Sequence, residues 1–290
     1  MANKTRVAVL GLGIMGTGMA GRLLQNNFDV TVYNRTPPKA QALQSLGARV
    51  AQTPAEAAKG AEFVISMLAD DVAARAVWLG SNGALAGAAP GTVLIECSTI
   101  SVQWARELAS AAKTRGCEML DAPVTGTKPH AAAGELLFLV GGSEETLARA
   151  RPVLAAMSRD IIHLGPAGSG ALVKLINNFV SGVQAVALAE ALALIERTDL
   201  DTAKALAVLT EGAPGSPLVK TLSKRMTASD FAPNFLLKLM TKDLKYAIGE
   251  AKSHSMSLAT ATAAVDVMEK AISAGLGDKD FSAVIELLRR

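Results

Sequence analysis

The stretch VAVLGLGIMGTGMA, Val7 to Ala20, decides how the rest of the chain is read. Val7 to Leu10 is apolar on both faces, the pattern of a buried parallel strand. Gly11, Gly13 and Gly16 follow in GxGxxG spacing, with Ile14 and Met15 ahead of the last glycine, and residues from about Met15 to Asn26 suit a helix. A glycine triplet alone says little; set between a strand and a helix it acquires a mechanism. Gly11 permits the tight turn, Gly13 lets a backbone approach a pyrophosphate, and Gly16 lets the helix pack on the strand. The helix start offers unpaired N–H groups and a positive dipole end to phosphates. The stretch predicts a dinucleotide-binding turn in which Gly11, Gly13, Ile14, Met15 and Gly16 line the cofactor.

Outward from this turn, strands and helices alternate. Asp29 to Tyr33 is rich in β-branched residues and predicts a second strand. Pro38 to Leu46 predicts a short helix and Ala48 to Val50 a short strand. Thr53-Pro54-Ala55-Glu56 is a helix start, with Thr as cap and Pro at the first helical position. Phe63 to Leu68 and Val93 to Cys97 predict buried strands. A helix over Val102 to Thr114 and a strand over Glu118 to Leu120 follow. From about Gly170 to Arg197 the pattern becomes one long apolar helix, and helical segments separated by EGAPGSP and ISAGLGDKD continue to the end. The fold expected is α/β: an N-terminal Rossmann-like, doubly wound parallel sheet, then an all-α C-terminal domain. The boundary is placed at Leu164-Gly165-Pro166. This gives a dinucleotide-binding domain over 1–164 and a helical substrate and dimerisation domain over 165–290.

The residues at the end of the second strand bear on cofactor choice. An NAD site usually carries an Asp or Glu there, bonded to the ribose 2′-hydroxyl. This chain has Asn34, Arg35 and Thr36 instead. A guanidinium pairs with a 2′-phosphate in a planar, bidentate fashion, and Thr36 adds a hydroxyl. NADP(H) is the expected cofactor. Met67 and Leu68, at the end of another strand, are expected to line the groove, and Ser98-Thr99 sits at the carboxyl-end crevice of the sheet.

Composition excludes several classes. Half of the 290 residues are hydrophobic and 19% are charged, enough for a large core and unlike a disordered chain. The 29 basic and 26 acidic residues are too balanced for a nucleic-acid binder. The opening stretch imitates a signal peptide, but three glycines interrupt it and no A-x-A site follows. No window reaches 18 uninterrupted apolar residues, so no membrane span is expected. Cys97 and Cys117 form no CxxC, and His130, His163 and His254 are scattered, so no metal is expected and the compartment read is the reducing cytoplasm.

Four motifs carry a resemblance to the β-hydroxyacid dehydrogenase family. They are GLGIMGTGMA at 11–20, DAPVTGTKPHAAAGELLFLVGG at 121–142, GSGALVKLINN at 168–178 and KDLKYA at 242–247. Their order and spacing span nearly the whole chain. NRT at 34–36 and the ending GLGDKDFSAVIELL are most similar to the glyoxylate and succinic semialdehyde reductases of that family. One departure stands out: Thr127 occupies the second position of a pair that is often Gly-Gly. The semialdehyde reductases have a small hydroxyl residue there.

The residues themselves outline a chemistry. Lys174 lies between Val173 and Leu175, and partial burial would lower its pKa into the range of a usable acid. Asn178, four residues on, shares its helix face. Spacing alone allows equally a surface lysine on an amphipathic helix; the resemblance favours catalysis. Backbone N–H groups at Thr125, Gly126 and Thr127 would form a small nest for a carboxylate, the alternative being an ordinary Gly/Pro turn. The resemblance places Thr99 near the nicotinamide. It also implies that Lys242 contacts the cofactor and that Phe235 and Asp243 contact the substrate; a solvated helix with one core Phe is the other reading of these three.

The expected activity is NADPH-dependent reduction of small aldehyde or keto acids, with glyoxylate and succinic semialdehyde favoured. Lys174 is the proton donor and Asn178 its orienting partner. A 3-hydroxyisobutyrate-type dehydrogenase is the near alternative, and a dinucleotide-binding scaffold the non-enzymatic one. Lys174 disfavours both the scaffold and an imine reductase. The expected partners are a small carboxylate-bearing aldehyde or hydroxy acid and further copies of the chain, as a homodimer or homotetramer; no nucleic acid and no membrane is expected.

Overall fold

The structure, a computed structural model, describes residues 4–289. It divides into two compact units, one through Lys174 and one from Leu175. The division falls ten residues beyond the Leu164-Gly165-Pro166 loop, inside the helix Ser169–Ile195. Its first turn is hydrogen-bonded to the strands of the first unit, as described below.

The first unit is built on a mostly parallel sheet. Its strands are β1 (Arg6–Leu10), β2 (Asp29–Tyr33), β3 (Arg49–Val50), β4 (Phe63–Ser66), β5 (Val93–Glu96), β6 (Glu118–Asp121), β7 (Val124–Thr125), β8 (Leu136–Gly141) and β9 (Ser158–Gly165). The order is β3-β2-β1-β4-β5-β6-β8-β7, with β9 on β8. The chain runs outward from β1 to β3, then returns to place β4 on the other side of β1. That reversal opens a crevice at the carboxyl ends of β1 and β4, where ligands of such sheets bind.

Val7, Val9, Val30, Val32, Ile65, Val93 and Ile95 pack between the sheet and its helices, all nearly or wholly buried. Each such side chain stabilises the fold by about 1.5–3 kcal/mol relative to exposure. Thr53 caps the helix Pro54–Ala58 by accepting the Glu56 N–H at 3.1 Å, as its sequence predicts.

The structure departs from the sequence reading in three places. The helices Asp71–Leu79 and Ala84–Gly87, between the strands at 63–66 and 93–96, have no counterpart in it. The expected strand Phe63 to Leu68 stops at Ser66, leaving Met67 and Leu68 half-buried at the crevice. Between 124 and 165 the chain forms β7, β8 and β9 and the helices Lys128–Ala133 and Glu144–Ala155, where the sequence reading has no element. Here β8 runs antiparallel to β6 and β7 and parallel to β9.

The second unit is helical: Thr202–Glu211, Pro217–Thr227, Leu237–Ser253, Ala259–Ala271 and short turns to Leu288 surround the remainder of the long helix. Ala185, Leu188, Ala189 and Leu192 of that helix enter a core with Leu222, Met226, Met240, Leu244 and Met268. The 27-residue helix is long and apolar enough to cross a membrane by composition, and here much of its apolar surface is taken up by this packing.

Candidate active site

The glycine turn sits at the crevice. Gly11 has φ +96°, and a Cβ there would lie 2.4 Å from the Met67 carbonyl oxygen, so only glycine fits. A Cβ on Gly16 would lie 2.0 Å from the Gly11 carbonyl oxygen, which makes Gly16 the contact that closes the helix Ile14–Gln25 onto the turn. Gly13, the cap of that helix, is different: it is exposed, and apart from its immediate chain neighbours nothing lies within 4 Å of where its Cβ would be. Nothing in the chain itself demands glycine at 13. A ligand brought against the backbone at the helix start would, which is the fit a pyrophosphate requires.

Asn34 supports this turn directly. Its Oδ1 accepts the Leu12 N–H at 2.8 Å and its Nδ2 donates to the Thr36 carbonyl at 2.9 Å. Asn34 thus ties the glycine turn to the loop after β2, on which Arg35 and Thr36 are exposed. Ile14 is exposed beside Gly13 and Met15 is half-buried against the core.

Below the crevice lies a polar network. Glu96, at the end of β5, is fully buried. Trp78 donates its indole N–H to Glu96 Oε2 at 2.8 Å, and the Ser98 N–H donates to Oε1 at 2.8 Å. Ser98 Oγ in turn accepts the Leu68 N–H at 2.7 Å. Burial pushes the Glu96 carboxyl above the usual carboxylate range, and bonds from Ser98, Ser66 and Trp78 pull it back in part. The network holds Leu68, and so ends β4 early; Thr99, the residue after Ser98, is half-buried.

Thr125, Gly126 and Thr127 form the loop from β7 into the helix Lys128–Ala133. Gly126 has φ +134°, and a Cβ there would meet Leu136 and His130 at 3.0 and 3.2 Å. The three-amide nest is incomplete: the Thr127 N–H is donated to His130 Nδ1 at 3.1 Å, and the Thr127 hydroxyl also reaches that nitrogen at 2.8 Å. This capping arrangement turns Thr127 from a free amide donor into a fixed hydroxyl-bearing corner.

Asp121 ends β6 and is fully buried. Its Oδ1 accepts the Gly168 N–H at 2.7 Å and its Oδ2 the Ala171 N–H at 2.8 Å, at the start of the helix that carries Lys174. Burial pushes its carboxyl up to about 6 in spite of these bonds. Lys174 is half-buried one turn further on.

In the second unit, Asn178 is 3% exposed and Asp243 is 1% exposed. Asn178 Nδ2 donates to Asp243 Oδ2 at 2.6 Å, and Lys242 Nζ lies 3.0 Å from Asp243 Oδ1. The Lys242 ammonium also stands 5.0 Å from the centre of the Tyr246 ring. Phe235 is half-buried, edge-on to Phe281 at 5.7 Å, and its N–H donates to the buried Asp280 at 3.0 Å. Asp280 also accepts from Ser282 and Asn234, so it ties down the Phe235 segment.

The sequence reading assigned no role to Glu96, Asp121, His130 or Asp280. The available signal was a carboxylate closing an otherwise apolar strand, as in VLIE and EMLD: acids there are buried and must be hydrogen-bonded. No group of three or more His, Cys, Asp or Glu side chains placed to hold a metal occurs among the described residues. Cys97 and Cys117 are buried free thiols.

A doubly wound sheet with an open glycine turn at its switch point, followed by a helical unit with a buried Asn–Asp pair, defines a class: dehydrogenases that use a nicotinamide dinucleotide. Comparison with known proteins makes the assignment narrower. Residues 6–165 match the NAD-binding domain of 6-phosphogluconate dehydrogenase. Residues 168–288 match the NAD-binding domain of NADP-dependent 3-hydroxyisobutyrate dehydrogenase. The chain is 36% identical to glyoxylate/succinic semialdehyde reductase 1 of Arabidopsis thaliana, over 98% of both chains. It is also 36% identical to an NAD-dependent L-serine dehydrogenase of Pseudomonas aeruginosa, over 97% of both. Among solved structures, the 3-hydroxyisobutyrate dehydrogenase of Mycobacterium tuberculosis with L-serine superposes with a TM-score of 0.90 at 37% identity, over 99% of this chain and 100% of that one. The chain belongs to the β-hydroxyacid dehydrogenase family. It is an NAD(P)-dependent oxidoreductase acting on hydroxyl or carbonyl groups.

Proposed function

We propose that this enzyme reduces small aldehyde or keto acids with NADPH, glyoxylate and succinic semialdehyde being the favoured substrates. The observation that carries the reaction is Lys174, half-buried on the first turns of a helix that also presents Asn178. NADPH supplies the hydride when bound. Lys174 Nζ gives its proton to the oxygen of the carbonyl being reduced, and its positive charge stabilises negative charge developing there. Asn178, fixed by Asp243, orients that oxygen, and Phe235 and Asp243 shape the substrate's surroundings. The Thr125-Gly126-Thr127 loop takes the carboxylate.

Arg35 supports NADPH over NADH, because a guanidinium stands where an acid would bind the ribose 2′-hydroxyl. In this reading Asn34 and Thr36 share the 2′-phosphate site, Gly11 to Gly16 take the pyrophosphate, and Met67, Leu68, Thr99 and Lys242 line the nicotinamide end. Thr127 and the likeness to the Arabidopsis enzyme favour the aldehyde acids. A second reading, oxidation of a 3-hydroxy acid of the 3-hydroxyisobutyrate type, is favoured by the equal likeness to the mycobacterial dehydrogenase. We further propose that the enzyme works as a dimer or tetramer.

Steady-state kcat/KM for glyoxylate, succinic semialdehyde, 3-hydroxyisobutyrate and L-serine, each with both cofactors, tests the reading. The aldehyde acids with NADPH should rank first. A hydroxy acid with NAD ranking first would transfer the assignment to the second reading.

A further inference from the structure

Asp121 has no place in the proton transfer described above, yet it is the most constrained carboxylate near Lys174. It is fully buried, and both oxygens accept backbone N–H groups, from Gly168 and Ala171 at 2.7 and 2.8 Å. Those amides belong to the start of the helix Ser169–Ile195, where N–H groups lack partners within the helix. Asp121 therefore caps the helix from 50 residues away in sequence.

The surrounding backbone is shaped to let this happen. A Cβ on Gly141, at the end of β8, would lie 2.5 Å from Asp121 Oδ1. A Cβ on Gly170 would lie 2.2 Å from the Leu139 carbonyl oxygen and 2.8 Å from that of Asp121. Glycines on both sides thus bring the strand and the helix start into contact with one carboxylate. Gly170 and Lys174 are four residues apart and share a helix face, so the seat of the first turn sets where Lys174 leaves the backbone. Ala171 lies about 4.5 Å along the axis from Lys174.

We propose that Asp121 is a positioning residue for Lys174: its carboxylate seats the first turn of the Lys174 helix against the ends of β6 and β8. The inference rests on Lys174 being the proton donor. An isosteric Asn at 121 keeps the shape but turns an N–H toward one of the two amides, so one bond is replaced by a repulsion and the turn shifts. A displacement of about 1 Å at a proton donor costs up to about a hundredfold in rate.

The test compares D121N, K174A and the double variant, measuring kcat, KM and NADPH affinity. D121N should lower kcat about tenfold or more, leaving KM within about threefold and NADPH affinity within about twofold. In the K174A background it should change kcat by less than about twofold, because a residue acting through Lys174 has nothing left to position. G141A, which crowds the carboxylate without removing it, should reproduce the split. Unchanged kcat in D121N, losses that multiply in the double variant, or loss of the fold in both D121N and G141A would overturn the inference. Full activity in K174A would instead overturn the assignment of Lys174 on which it rests.

Discussion

Asn178 and Asp243, 65 residues apart in sequence, are joined by a hydrogen bond of 2.6 Å between two almost completely buried side chains. The bond fixes which way the Asn178 amide faces: its NH2 group is given to the carboxylate, and its Oδ1 accepts from Asn177 at 3.0 Å. Asp243→Ala removes the carboxylate that holds the NH2 group of that amide. A buried hydrogen bond to a charged group is worth about 1.5–3 kcal/mol, so kcat/KM should fall roughly ten- to a hundredfold. Kinetics on the purified variant decide it; a change under about threefold would separate Asn178 from the chemistry.

Arg35 governs cofactor choice in this account. Arg35→Asp removes a charge-assisted, bidentate contact and supplies an acid for the 2′-hydroxyl. The loss should be on the order of 2 kcal/mol, or roughly 30-fold in NADPH affinity, with NADH use improved. The side chain is exposed, so the fold should be unaffected. Equal use of NADH and NADPH by the wild type would contradict the assignment.

Asp121 also makes stability depend on pH in a definite direction. Burial raises its folded value to about 6 from an ordinary 3.8, so between these values the folded state binds more proton than the unfolded one. Stability from this group therefore rises as pH falls, the reverse of a salt-bridged carboxylate. Between pH 7.5 and 5 the wild type should gain on the order of 1 kcal/mol relative to D121N in denaturant titrations. The buried Glu96, shifted in the same direction, adds to the wild type and D121N alike and cancels in the comparison. A gain of the opposite sign would show that the Asp121 carboxyl stays ionised below its ordinary value.

The second unit leaves apolar groups uncovered. Ile176 and Val180 of the long helix are 50% and 45% exposed, and the helix Thr202–Glu211 buries none of its residues while Val208 is 69% exposed. Association of chains would cover them. Light scattering at micromolar concentration should give at least twice the mass of one chain, and Val180→Glu should lower it. A monomeric wild type would remove oligomerisation from the account.

Much of this was legible in the sequence because the first half obeys local rules. VAVLGLGIMG carries the strand, the turn and the helix start in ten residues, and Asp29 to Tyr33 and Val102 to Thr114 form the elements predicted, end for end. What escaped depends on contacts between distant segments. Leu68 leaves its strand because Ser98 takes its amide. The Thr127 amide is lost to His130, and no spacing rule announces histidine as a capping partner. The helix start at Ser169 is held by Asp121 across 50 residues, so the first helical turn stays with the first unit. β8 is different: LLFLVG has the same two-faced apolar pattern as Val7 to Leu10 and marks a strand by the same rule.

The most direct test of the account is kcat of Lys174→Ala for glyoxylate and succinic semialdehyde, alongside NADPH titration by fluorescence. Gly11, Gly13, Gly16 and Arg35 are untouched, so NADPH affinity should stay within about twofold of wild type. General acid catalysis contributes about 10²–10⁴-fold, and electrostatic stabilisation of the developing charge adds to it. The account predicts a folded protein that binds NADPH and turns over at least about 10³-fold more slowly. Lys174→Arg should recover little, since a guanidinium stays protonated at neutral pH. A Lys174→Ala enzyme that kept more than about a tenth of wild-type kcat, with chemistry limiting turnover, would contradict the central claim.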